Sequence, residues 1–185
     1  MFGPYLDCGL DQHDRPVSLH PPKIKDAHIL RDWISDPAIN RYLCFRKRLS
    51  LVDERAWLRR RRAEEDNWLW TIFCGDTMIG DTGLHFDPRL KTGTTGIVIG
   101  NRDYWGCGIA SLVFARRARF AFEEVGCVTL FTAAFAPNQD SWRASEKLGF
   151  TRYGEKPFAD LIDGEYVTLY QYYLTRDRWQ ELNIH

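Results

Sequence analysis

The chain has 185 residues, enough for one domain with a hydrophobic core, and 44% of them are apolar, including 7 Trp, 8 Tyr and 11 Phe, which excludes a disordered protein. Twenty-five basic residues balance 25 acidic ones, so the formal net charge of zero argues against a general nucleic-acid binder. No apolar run approaches the roughly 18 residues of a transmembrane helix, and the N-terminus lacks the basic-then-apolar pattern of a secretory signal, so no membrane association is expected.

Five cysteines, Cys8, Cys44, Cys74, Cys107 and Cys127, are scattered and never spaced as C-x-x-C. Neither a disulfide framework nor a zinc site fits, so no metal is expected and the reducing cytoplasm is the default compartment.

In chain order, residues 1–16 carry Gly, Pro and Asp without periodicity and read as a loose arm or an added edge segment. Residues 17–185 are expected to form a single domain. Residues 16–20 suit a short first strand, which Pro21-Pro22 breaks. A helix is expected from Asp26, with Ile29, Leu30, Trp33 and Ile34 on one face. Asp36-Pro37 starts a short second helix, and Ser50-x-x-Asp53 is a capping signature for a third. Its four arginines, 59–62, point around the axis and suit a solvated helix end.

From Trp68 the pattern becomes extended. Residues 68–74 and 77–86, joined by Gly75-Asp76, predict a hairpin with a II′-type turn. Residues 94–100 predict a strand that runs through Gly106 and Gly108 into a long helix ended by Gly126. Ala110, Val113, Phe114, Ala118, Ala121, Phe122 and Val125 form its apolar stripe. Residues 127–135 read as a central strand buried on both faces. Asn138 opens a helix through Leu148, with Gly149 in the left-handed position that ends it. Residues 151–156 and 166–174 read as strands around an Asp163-Gly164 turn.

A strand entering a helix through two glycines leaves free backbone N–H groups at the helix start, which with the helix dipole can seat a phosphate. The same stretch carries a resemblance. Tyr104-Trp105-Gly106-Cys107-Gly108-Ile109-Ala110, Phe120-Ala121-Phe122-Glu123, Asn138-x-x-Ser141, Glu146-Lys147-Leu148-Gly149-Phe150 and a closing Trp179 keep their order and spacing from about Val17 to Trp179. In these residues the chain resembles the GNAT family of N-acetyltransferases, and most closely its branch that acetylates ribosomal-protein N-termini.

The resemblance implies a mixed α/β fold with a central, mostly antiparallel twisted sheet of about seven strands flanked by helices. It implies acetyl-CoA as acyl donor, with direct transfer to a primary amine of a protein N-terminus or a small molecule, by a monomer or homodimer. The turn of Trp105, Gly106, Cys107, Gly108, Ile109 and Ala110 would hold the pyrophosphate, where glycines let backbone N–H groups approach. Ile97, Val98 and Ile99 would pair with the pantetheine where two strands splay apart. Asn138 and Ser141 would lie beside the pantetheine and sulfur, and Arg143 would meet the 3′-phosphate.

The catalytic groups depart from the family. Thr95 stands where a strand Glu is common, Ser145 where a Tyr acid is common, and Asp103 where Arg or Gln opens the phosphate motif. Ser141, then Ser145, is the candidate hydroxyl near the sulfur. His85, Asp87 or a water chain would take the amine proton, and a backbone N–H near Val98 would stabilise the oxyanion. Cys107 is read as a small residue tolerated in the turn. A CoA-binding module with lost or altered catalysis is the alternative; a dinucleotide enzyme lacks its third glycine and acidic residue.

Overall fold

The structure, a computed structural model, describes residues 1–43, 46 and 48–182. Eight strands form one sheet: β1 (Leu6–Leu10), β2 (Pro16–His20), β3 (Asn67–Cys74), β4 (Thr77–Asp87), β5 (Thr92–Ile99), β6 (Thr129–Phe135), β7 (Thr151–Ile162) and β8 (Glu165–Thr175). Their order is β1-β2-β3-β4-β5-β6-β8-β7, and among these neighbouring strands only β5 and β6 pair in parallel. The eighth strand arises because residues 6–10 pair with β2 as an added edge.

The described residues also form six α-helices: α1 (Ala27–Ser35), α2 (Pro37–Asn40), α3 (Leu51–Ala63), α4 (Ile109–Arg119), α5 (Gln139–Lys147) and α6 (Arg176–Glu181). Strand alternation divides their packing. Trp70, Ile72, Leu84 and Ile97 face the layer of Val113, Ala118 and Trp142 from α4 and α5. Leu69 and Met78 point to the other face, against Ala27, Leu30 and Trp33 of α1 and Leu58 of α3.

The local signals act as chemistry demands. Ser50 Oγ accepts the Asp53 N–H at 3.1 Å and Asp53 Oδ2 accepts the Ser50 N–H at 3.3 Å, a capping box of about 1 kcal/mol. Asp36 accepts the Ala38 N–H with Pro37 behind it. Asp26 and Asn138 hold cap positions but accept no capping hydrogen bond through their side chains, and a 3₁₀ turn precedes α1. Past α4 the helix widens into a π segment, Phe120–Val125, before Gly126 at φ +87°.

One expectation is corrected. β6 is central, but it is not buried on both faces, because Ala133 is exposed. Trp57, Trp68 and Tyr173 are half-buried in packing; Trp68 sits edge-on to Phe120 at 5.8 Å. Cys44 lies outside the described residues.

Candidate active site

β5 and β6 pair only at Thr92↔Thr129, Gly93↔Leu130 and Thr94↔Phe131. Beyond Thr94, β5 continues with β4 and β6 with β8, so a wedge opens between them. Thr132 Oγ1 donates to the Thr95 carbonyl at 3.2 Å, the last tie across the gap. Backbone groups alternate sides along a strand. The Thr95 carbonyl points to β6, whereas the Val98 carbonyl would lie 2.1 Å from a Cβ on Gly80 of β4. Ile97 and Ile99 therefore face the wedge and Val98 does not, which corrects the expected pairing edge and moves the oxyanion donor off Val98 itself. The Ile99 carbonyl already accepts the Trp105 indole N–H at 2.8 Å, so Ile97 is the residue with its carbonyl still open to the wedge.

A bulge in β4 turns the chain out of β5. Ile79 is the extra residue between Gly80 and Met78, and its carbonyl accepts both the Gly100 N–H at 2.8 Å and the Asn101 N–H at 3.0 Å. Gly100 is required because a Cβ there would fall 2.0 Å from the Trp33 ring. Gly106 and Gly108 then take left-handed φ of +74° and +78°. Among the described residues, the N–H groups of Gly106, Cys107, Gly108, Ile109 and Ala110 donate to no protein acceptor. Five such donors at the start of an 11-residue helix fit a pyrophosphate. Cys107 is buried and its thiol points to the Trp105 carbonyl at 3.6 Å, a packing role.

The turn between β1 and β2 braces this loop. Asp11 accepts from the His13 and Arg15 N–H groups and from Arg15 Nε at 2.8 Å. The Arg15 hydrogen bond, first among the causes, draws the Asp11 carboxyl down to about 2. Arg15 lies over the Tyr104 ring at 4.6 Å, and the Gln12 N–H donates to the Cys107 carbonyl at 3.4 Å.

α5 brings Asn138 and Ser141, both half-buried, to the end of β6. Ser145 is buried, and its hydroxyl donates to the Ser141 carbonyl at 3.2 Å. Arg143 is exposed, 5.3 Å from the Trp142 ring. His85 does not join the site: it is exposed, bonded through Nδ1 to Asn67 Oδ1 at 2.6 Å, and in register with Thr94 where β5 and β6 are still paired. Asp87 caps its own turn by accepting the Arg89 and Leu90 N–H groups. Thr95 is buried on the α4 face.

Sequence reasoning passed over the buried Arg117 and Glu54 and the partly buried Asp81. Arg117 of α4 is fully buried and donates to the Gly96 carbonyl at 2.8 Å and to Thr82 Oγ1, with burial pushing it down to about 9. Glu54 and Asp81 lie on the other face, under α1 and α3. The 113, 114, 117, 118 spacing was the available signal for Arg117; the carboxylates had none without the strand register.

A family model described as an acetyltransferase (GNAT) domain matches residues 17–151. The chain belongs to the GNAT acetyltransferase family. No protein of curated function matches this GNAT chain by sequence. Its fold is shared with solved structures of low identity. The spermidine N-acetyltransferase of Vibrio cholerae, in complex with CoA and spermine, superposes with a TM-score of 0.83 at 14% identity, covering 89% of this chain and 98% of that one. The RimL ribosomal L7/L12 alpha-N-protein acetyltransferase, in complex with CoA, gives 0.76 at 17%, covering 88% and 95%. A GNAT-family acetyltransferase from Bacillus anthracis gives 0.74 at 19%, covering 87% and 95%. No helix among the described residues is long and apolar enough to cross a membrane.

Proposed function

We infer that the chain is an acetyl-CoA-dependent N-acetyltransferase that acts on a primary amine, at a protein N-terminus or on a small molecule, in the reducing cytoplasm. The observation that carries this is the row of five unpaired N–H groups at 106–110 beside the wedge between β5 and β6. Acetyl-CoA would supply the activated acetyl thioester and a leaving thiolate. The 106–110 N–H groups would hold its pyrophosphate, Ile97 would pair with the pantetheine, and Asn138 would contact it from α5. Ser141 is the better donor to the thiolate, because the Ser145 proton is committed to the Ser141 carbonyl. Arg143 is exposed for the 3′-phosphate. Two fold relatives act on spermidine and on a ribosomal-protein N-terminus, which supports an amine acceptor. A cavity of ≈ 400 Å³ between α2 and the β7–β8 turn, lined by Arg41, Arg46 and Asp163, is the approach we assign to it.

Thermal unfolding with acetyl-CoA, CoA, NAD and ATP tests this reading. Both CoA forms should raise the melting temperature, by about 2.7 kcal/mol of stabilisation at 100-fold excess over Kd, and NAD should not. Gly106→Val should abolish the CoA shift by blocking backbone approach. A wild-type chain indifferent to CoA would overturn the assignment. Free-thiol release with a panel of amines and peptides then identifies the acceptor.

A further inference from the structure

The sheet face under α1 and α3 holds two carboxylates with no evident structural task. Glu54 lies on α3 one turn before Leu58, 1% exposed, and its Oε1 has no hydrogen-bond partner. Asp81 stands on β4 directly opposite Val98 of β5 and Thr71 of β3. That register turns it away from Thr82, whose hydroxyl meets Arg117 of α4. Asp81 retains partial exposure, and its side chain forms no hydrogen bond or ion pair among the described residues.

Among the described residues the surroundings offer no counter-charge. Thr71 gives its hydroxyl to the His20 carbonyl, Val98 does not titrate, and α1 contributes the Trp33 ring at Gly100. His20, beyond Thr71 on β2, is bonded to Ser18. Among the described residues, Glu54 is the one charge acting on Asp81. Burial first, then Glu54, pushes the Asp81 carboxyl up to about 7, and burial pushes Glu54 up to about 7. A buried and a partly buried carboxylate with no cation beside them among the described residues cost stability, so a bound ammonium would supply what they lack. The place is apt: Val98 lies between Ile97 and Ile99, which face the wedge, and Asp81 flanks them from the face away from α4.

We propose that Asp81 is the catalytic proton acceptor for the acceptor's ammonium group and that Glu54 is a positioning residue that acts through it. This rests on the acetyl-transfer reading. In the step, an N–H bond of R–NH₃⁺ breaks and an O–H bond forms on the Asp81 carboxylate, leaving neutral R–NH₂ with its lone pair free and a neutral carboxylic acid. The proton then passes to water, and the carboxylate is restored. Glu54 keeps Asp81 poised near neutrality, where a general base is most effective.

Asp81→Asn and Glu54→Gln test the assignment in the full chain. Thiol release from acetyl-CoA would be followed from about pH 5 to about pH 9, with spermidine and the peptide Ala-Ala-Ala as amine probes. The CoA-induced melting shift controls for folding and cofactor binding, and a ¹³C-carboxyl titration follows Asp81 directly. Asp81→Asn should keep the CoA shift and lose about 10²-fold or more in turnover. Glu54→Gln should keep most of the turnover but move the acidic limb, and the Asp81 titration with it, to lower pH. Wild-type rate and pH profile in Asp81→Asn would overturn the proposal. So would an Asp81 carboxyl that titrates in the ordinary carboxylate range, a measurement that decides even if neither probe is turned over. Failure of the acetyl-transfer reading shows separately, as a wild-type chain whose melting temperature ignores CoA.

Discussion

Glu54 leaves a mark on stability as well as on any reaction. Its carboxyl is pushed up to about 7 by burial, so between about pH 4 and about pH 7 the folded chain binds more protons than the unfolded one. Stability from this group is therefore present at acidic pH and falls as pH rises through that window, opposite to an ion-paired carboxylate. Glu54→Gln should stabilise the chain by about 1–2 kcal/mol at pH near 8 and by little at pH near 5, read as the difference in urea midpoints. At this scale the sequence revealed residues with local jobs. Gly106, Gly108 and Gly149 needed only a left-handed φ, and Ser50 and Asp53 only three-residue spacing. Asp81 was hidden because its face depends on pairing with Val98 and Thr71, and the extra residue Ile79 resets the alternation along β4. His85 was overvalued for its chemistry, since side-chain type cannot tell how far up a strand the wedge begins.

At the scale of elements, the β1–β2 turn matters beyond its own stability. Asp11, with its carboxyl held down to about 2, stabilises the fold above the usual carboxylate range and loses that contribution as pH falls toward 2. Asp11→Asn should lower the melting temperature at neutral pH, with the deficit closing toward pH 2. Because Gln12 and Arg15 touch Cys107 and Tyr104, the same variant should weaken CoA several-fold in a titration. A variant that melts earlier but binds CoA normally would detach this brace from any cofactor role of the 106–110 turn. The sequence left these residues as a loose arm or an edge segment, because a five-residue strand has too short a pattern to distinguish the two. The Thr132 hydroxyl ties the closed end of the wedge to Thr95, so Thr132→Val should leave the fold intact and raise the KM for acetyl-CoA.

Across the whole molecule the sheet acts as a partition. α4 and α5 cover one face, and α1 and α3 cover the face with Asp81. Donor and acceptor would enter from opposite sides and meet at the wedge, so both can be bound together. Initial-rate plots should intersect, the pattern of a ternary complex, and under the proposed direct transfer Cys107→Ser should keep activity because no acyl group would rest on the protein. Parallel plots would point to a covalent carrier instead. The two ends of the sheet carry a different lesson. β1 is interrupted at Cys8, between Asp7 and Gly9, and β7 is irregular between Lys156 and Asp160 around Pro157. Neither border offers a long flat row of free amides, so chains that collide while nearly native cannot zip border to border into fibrils. Lys156→Val with Pro157→Val should remove that safeguard, seen as light scattering that grows on incubation while the wild-type chain stays clear.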